Sequence, residues 1–502
     1  MKNKKSIQIF LACLLIIAIA LACNQFAASP AIATDSPTTE VISTIVSEET
    51  VEVNTGLSGL GDSLYPDFGN GGYEVTHYTL DFTVNDVATS DLTAIVTIEA
   101  NALQDLSSFN LDFVGFEIND ITVNGESAQF QRTETELTIA PFTMLVKDGS
   151  FTIIIRYEGA PEEMQSVALP VQTGWVIVEG GSFVLSEPDG SAGYYPVNDH
   201  PLDKAAYTFR VTVPQPFEVA ANGVLTQTTD NGDTTTFVFE ARDPMASYLA
   251  TINIDRFELE VMESENGIPI RNYYSTGLPE EVREPFARQG EMLAYFSEIY
   301  GPYPFELYGA LVMDVEFGSA LEAQTLSIFG VDMVDVDDVE GTELTVAHEL
   351  AHQWFGDSVS VADWSDIWLN EGFATYSEGL WIEHTSGREA LDQQIKSQYK
   401  DVVEYQQYYP APGNPPANDL FNGGVYIWGG LTLHALRLEV GDDAFFDIMQ
   451  TYFARYQGGN ATTEDFIAVA EEVSGKELAK FFDTWLYGES IPPIPALGLG
   501  VE

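Results

Sequence analysis

Two periodicities divide the chain. From about Tyr73 to Phe257 apolar residues recur at every second position: Tyr78, Leu80, Phe82 and Val84 alternate with Thr79, Asp81 and Thr83, and Tyr207, Phe209, Val211 and Val213 repeat the pattern. A period of two belongs to a strand with one buried face. Runs at Phe151–Ile155 and Phe237–Phe239 add strand candidates, and Asn124-Gly125, Asn222-Gly223 and Asn231-Gly232 are turn signals between them. An all-β domain of sandwich or saddle type is predicted. After about Asn266 the texture changes. Phe286, Leu293, Phe296 and Tyr300 fall at helical spacing, Leu307 to Val315 reads as a buried strand, and from Thr342 onward the pattern is mostly helical. The predicted fold class is therefore α+β multidomain, with an N-terminal β domain over 66–260 and a second domain, α+β early and α late, over 261–490. A short tail, 491–502, follows, leaving no room for a further large domain.

The ends differ from the body. Lys2, Lys4 and Lys5 precede an apolar run from Ile9 to Ala22, which is too short for a permanent bilayer span and reads as an export signal over 1–23. Ala20-Leu21-Ala22-Cys23 resembles a lipoprotein cleavage box, which predicts a lipid anchor at Cys23 on the cell surface or in the periplasm. Ala31-Ile32-Ala33 offers the competing ordinary cleavage site, which predicts secretion. The stretch 24–65 is rich in Ser, Thr, Glu and Gly, and is predicted to be a flexible linker.

Charge narrows the partners. The chain has 502 residues with 77 acidic and 20 basic side chains, a formal charge of −57. Such a surface excludes nucleic acid, having little to neutralise phosphates, and disfavours docking on anionic lipid. A membrane is thus expected only through the N-terminal anchor. Cys13 and Cys23 are the only cysteines, so the folded body has no disulfide framework.

The chemistry lies in His348-Glu349-Leu350-Ala351-His352. On a helix opened near Thr342 and closed by Gly356, residues four apart share one face, so both imidazoles can reach one ion while Glu349 points toward the same pocket. Glu371 follows after eighteen residues, within Trp368-Leu369-Asn370-Glu371-Gly372, and is the candidate third ligand. Two imidazoles and a carboxylate, with a fourth position left for water, suit one zinc ion. Asp366 is a candidate to orient a ligand histidine. His77, His200, His384 and His434 fit no ligand pattern and are read as structural.

These residues resemble the zinc aminopeptidases of the aminopeptidase N family, gluzincins with two histidines and a distant glutamate. His348 to Glu378 is similar to that family's zinc signature over its whole length. Gly301-Pro302-Tyr303-Pro304-Phe305 is similar to the segment before its substrate-binding strand. Ser319-Ala320-Leu321-Glu322-Ala323 stands where it carries Gly-Ala-Met-Glu-Asn, and Val425-Tyr426-Ile427-Trp428 where it carries a catalytic tyrosine. Glu187-Pro188, with Tyr195-Pro196 and Asp199-His200-Pro201, resembles its N-terminal-domain segment holding a second amine-binding acid.

The resemblance implies a thermolysin-like catalytic domain after the β domain, without the large C-terminal helical domain of many members. It implies a metallo-aminopeptidase acting on peptides with a free N-terminus, which the export signal would carry out of the cytoplasm. His348, His352 and Glu371 would hold the zinc that activates water, with Glu349 as general base and Tyr426 donating to the oxyanion. Glu322 and Glu187 would bind the substrate α-ammonium, with backbone contacts from Ser319 and Ala320. Ala323 lacks the amide of the family's Asn, and Trp428 replaces a lysine, so those two contacts are not expected. An endopeptidase on the same metal scaffold is the competing enzyme reading, and a peptide-binding protein without catalysis the competing reading of another class.

Overall fold

The alternation along Tyr73–Asp86 builds the first domain around itself: Tyr78, Leu80, Phe82 and Val84 are buried on one face of this strand. The structure is a computed structural model and describes residues 54–162 and 164–500. Tyr73–Asp86 sits inside an eight-stranded sheet ordered Val224–Asp230, Thr234–Met245, Ala205–Pro214, Tyr73–Asp86, Asp91–Ala102, Ser150–Gly159, Glu117–Val123, Glu126–Ser127. Its pairs are antiparallel except Ala205–Pro214 with Tyr73–Asp86, where Phe209 lies beside Leu80 and Val211 beside Phe82. The predicted inward set of both strands thus meets in one core. A five-stranded sheet containing Gly181–Leu185 and Ile252–Asp255, and a three-stranded sheet containing Phe109–Asp112, complete the domain.

A mixed five-stranded sheet opens the second domain, ordered Phe257–Glu263, Pro269–Ser275, Ala310–Met313, Ser327–Gly330, Ala320–Leu321. Ala310–Met313 is buried throughout and parallel to both neighbours, which accounts for its unbroken apolar sequence. Ala320–Leu321 is the edge strand. Helices follow, among them Val339–Ala351, Trp368–Ser386, Gly429–Val440 and Asp442–Tyr456. Aromatic rings lock them together: Phe355 lies 4.8 Å from Phe373 and 4.9 Å from Tyr300. No helix among the described residues is long and apolar enough to cross a membrane.

Two expectations need correction. The linker does not run to residue 65: Leu57–Ser58 pairs with Asn70–Gly71, and Asp62 and Tyr65 are buried, because Asp62 finds hydrogen-bond partners that its local composition does not reveal. The domain boundary falls before Phe257 rather than after 260, since Phe257–Glu263 pairs with Pro269–Ser275. Asn222-Gly223 separates two strands as expected, Glu218–Ala221 and Val224–Asp230, although these lie in different sheets. Asn222 is buried, and its amide donates to the carbonyls of Leu249 and Gln324, both at 2.8 Å, joining the two domains. The tail also packs, with Ile491, Ile494 and Leu499 buried. The export signal with Cys23, the Ala31-Ile32-Ala33 site and the linker up to Val53 lie outside the described residues.

Candidate active site

The helix Val339–Ala351 starts three residues before the predicted Thr342, because the Asp338 side chain caps it by accepting the Gly341 N–H at 3.1 Å. It carries His348 and Glu349 and stops at His352, before Gly356. Gly356 has φ +134 and lies in the turn beyond. That turn brings the Phe355 carbonyl to His352 Nδ1 at 3.1 Å. A Cβ at Gly356 would stand 3.1 Å from the same Nδ1, so glycine here spares a ligand ring from crowding. Glu371 enters from the first turn of the helix Trp368–Ser386.

His348, His352 and Glu371 each offer a ligand atom within 4.8 Å of the other two. Glu371 Oε2 lies 3.3 Å from His348 Nε2 and 3.4 Å from His352 Nε2, is buried, and has no hydrogen-bond partner. The outer ring nitrogens are engaged elsewhere: His348 Nδ1 meets Glu378 Oε1 at 2.8 Å, and His352 Nδ1 meets the Phe355 carbonyl. With protons held on Nδ1, both Nε2 lone pairs turn inward beside an orphaned carboxylate oxygen. Such a donor set fits zinc.

The three other carboxylates predicted or paired with the site gather around this cluster. Glu349 is buried, and burial raises it to about 8 against the pull of the two histidines. Glu322, Glu349 and His352 also bring one atom each within 4.8 Å of one another. Glu322 is 3% exposed, and its Oε1 and the Oε1 of Glu187 are both buried without a hydrogen-bond partner. Glu187 follows the strand Gly181–Leu185 of the β domain, and Glu322, Glu371 and Glu349 act on it electrostatically after burial itself. Two unpaired carboxylates thus converge beside the metal cluster from two domains. The Glu322 backbone is fixed by Gln353, which donates to its carbonyl at 2.9 Å and accepts the Thr325 N–H at 2.8 Å.

Tyr426 lies in a π-helical turn, Gly424–Trp428, with its ring stacked 6.0 Å from that of His348. Gly372 and Gly429 set this spacing. A Cβ on Gly372 would come within 2.9 Å of the Gly429 backbone, so only glycine allows the segment after Tyr426 to lie against the helix that carries Glu371. Ser319 is exposed and its hydroxyl turns onto the Ala320 carbonyl at 2.9 Å, so its side chain adds nothing to the cluster. Ala320 contributes backbone on the edge strand. Ala323 is buried in a small apolar cluster.

Asp366 does not orient a histidine: it accepts from the Thr463 hydroxyl at 2.5 Å, because its short turn faces the helix Thr463–Ser474. The orienting group is Glu378, seven residues after Glu371 and so on the same helix face, a spacing the sequence contained but did not single out. Gln353, adjacent to His352, was likewise missed. His200 bonds Asp62, His434 meets Tyr376, His77 meets Thr208 and His384 meets Glu291, so all four serve structure.

Comparison with known proteins agrees with this geometry. Residues 74–249 match the Peptidase M1 N-terminal domain and residues 285–485 the Peptidase family M1 domain. The chain is 28% identical over 321 residues to aminopeptidase A of Gloydius brevicauda, covering 60% of this chain and 33% of that protein. It is 26% identical over 418 residues to aminopeptidase N of Streptomyces lividans, covering 78% and 48%. It therefore spans a third to a half of these curated relatives. The M1 zinc metallopeptidase of Deinococcus radiodurans, solved as a variant bound to a Tyr-Ser-Ala substrate, superposes with a TM-score of 0.80 at 32% identity, covering 87% of this chain and 99% of that one. A β domain followed by this catalytic domain is thus shared along nearly the whole length of a solved relative, and the chain belongs to peptidase family M1, the aminopeptidase N family of zinc metallopeptidases.

Proposed function

We propose that the protein is an exported zinc aminopeptidase that hydrolyses the first peptide bond of peptides with a free N-terminus. The observation that carries this reading is the pair of buried carboxylates Glu322 and Glu187, each with an unpartnered oxygen, near enough for Glu322 and the triad's Glu371 to act electrostatically on Glu187. An ammonium has three N–H donors and a full charge, so it satisfies both orphans at once, whereas an acylated amine brings no charge. Site selection at the chain terminus follows from that difference.

His348, His352 and Glu371 would hold a zinc ion, which when bound would supply Lewis acidity for activating water and the scissile carbonyl. Glu349 accepts the proton of the attacking water and returns it to the leaving amine. Burial raises the Glu349 carboxyl above the ordinary carboxylate range, which makes it a stronger base than a solvated glutamate. Tyr426 donates its hydroxyl to the developing oxyanion, and burial raises its pKa, which keeps it protonated. Among the described residues the edge of Ala320–Leu321 has no strand partner beyond it, and it can pair with the extended substrate backbone. The Deinococcus relative was solved with a tripeptide, which supports short peptides as the substrate class.

Export is supported by the Lys2–Lys5 charges followed by the Ile9–Ala22 apolar run, and anchoring by Cys23 after Ala22. The test of activity is release of the chromophore from leucine and alanine anilides, with and without chelator. Cleavage that chelator abolishes and zinc restores is expected. Cleavage indifferent to chelator, or none from folded protein with one zinc bound, overturns the reading.

A further inference from the structure

The segment just before the β domain touches three regions that carry site residues. Asp62 is 4% exposed, and its carboxylate is filled by four donors. Oδ1 accepts the N–H groups of Leu64 and Tyr65, both at 2.8 Å, which curls the segment into a turn. Oδ2 accepts the Trp364 N–H at 2.7 Å and meets His200 Nε2 at 3.2 Å. His200 Nδ1 accepts the Leu202 N–H at 3.1 Å, so the ring proton sits on Nε2 and faces Asp62. Ser63 donates its N–H and its hydroxyl to the two oxygens of Asp363, at 2.8 and 2.6 Å. The Tyr65 hydroxyl donates to the Ala417 carbonyl at 2.5 Å.

Each anchor leads toward the site. Asp363 and Trp364 open the turn that runs into the helix of Glu371. Ala417 lies in a loop held by successive bonds: Asp419 N–H to the Pro416 carbonyl at 3.0 Å, Asn422 amide to the Asp419 carbonyl at 2.7 Å, and Gly424 N–H to the Asn422 side chain at 2.8 Å. Gly424 is the first residue of the turn that holds Tyr426. His200 belongs to the domain that supplies Glu187.

We propose that Asp62–Tyr65 is a positioning brace, which fixes the start of the Glu371 helix and the Tyr426 loop relative to each other and to the β domain. None of its residues touches substrate. Its effect runs through the placement of a metal ligand and an oxyanion donor, where an error near 1 Å costs about 10²-fold in rate. Composition hid the role, because the segment is polar and follows a linker-like stretch.

The inference rests on the proposed aminopeptidase reading, so the experiment has an arm that needs no peptidase activity. Tyr65→Phe and Asp62→Asn are made in the full chain and loaded with zinc. Tyr65→Phe is expected to lower kcat for an alanine anilide about 10-fold at unchanged KM. In a Tyr426→Phe background it is expected to add no further loss, since the group it positions is already gone. Asp62→Asn is expected to speed zinc release to a chromogenic chelator about 10-fold, through the Glu371 helix. Wild-type kcat in Tyr65→Phe, an equal proportional loss in both backgrounds, or unchanged zinc release in Asp62→Asn overturns the brace. If the wild type cleaves no peptide substrate, the aminopeptidase reading fails, and zinc release alone decides the brace.

Discussion

Glu378 Oε1 lies 2.8 Å from His348 Nδ1, and Glu378 stands two turns beyond Glu371 on the same helix. One helix therefore supplies a candidate metal ligand and also orients a second candidate on another helix. Removing the orienting carboxylate by Glu378→Ala frees the His348 ring to rotate and to change tautomer. Zinc affinity is expected to fall about 10- to 100-fold, measured by competition with a chelator of known affinity. Unchanged affinity would show that packing alone holds the ring.

Tyr426→Phe keeps the ring against His348 and removes only the hydroxyl. A lost oxyanion donor costs about 10²–10³ in kcat, with little effect on KM. Steady-state kinetics on an alanine anilide check this. A loss confined to KM would place Tyr426 in ground-state binding instead.

Gly372→Ala inserts a methyl within 2.9 Å of the Gly429 backbone. Two helices must separate, at a cost of about 1–3 kcal/mol. Chemical denaturation should show that loss, with the separation also moving Tyr426 away from Glu371. A variant as stable and as active as the wild type would refute the close approach.

Asp62 gives a pH signature. Burial alone would raise its pKa, but bonds from His200 and from the N–H groups of Trp364, Tyr65 and Leu64 outweigh burial and hold it below the ordinary value of 3.8. The folded state thus binds the proton less readily than the unfolded chain. The resulting stability is fully present above the unfolded pKa of about 4 and is lost as pH falls through the folded value. Denaturation midpoints between pH 6 and pH 3 should fall more steeply for the wild type than for Asp62→Asn. Parallel curves would contradict the assignment.

His348 and His352 were legible because HExxH is a local pattern with fixed helical geometry, whereas Glu371, on a separate helix, was read from its spacing and from the third ligand that zinc requires. The inward faces of Tyr73–Asp86 and Ala205–Pro214 were legible for the same reason, since a period of two depends only on near neighbours. Glu322 and Glu187 came through resemblance alone. Glu187 looks locally like any other acidic residue and Glu322 differs only in its mostly apolar surroundings, so neither position reveals by itself a buried oxygen without a partner. Asp62 was misread for the converse reason: its partners Trp364 and His200 lie 302 and 138 residues away. Glu378 fell between these cases, at a readable helical spacing but with a role that depends on where His348 Nδ1 points.

The central claim is that Glu322, with Glu187, selects a charged amine beside a zinc-dependent site. The most direct measurement is kcat/KM for alanine anilide against its N-acetylated form, in wild type and Glu322→Gln at equal zinc content. The account predicts strong wild-type preference for the free amine, and a fall of about 10²-fold in that preference in the variant, as expected when one partner of a buried charge pair is lost. Equal cleavage of both substrates by the wild type, or an undiminished preference in Glu322→Gln, would contradict it.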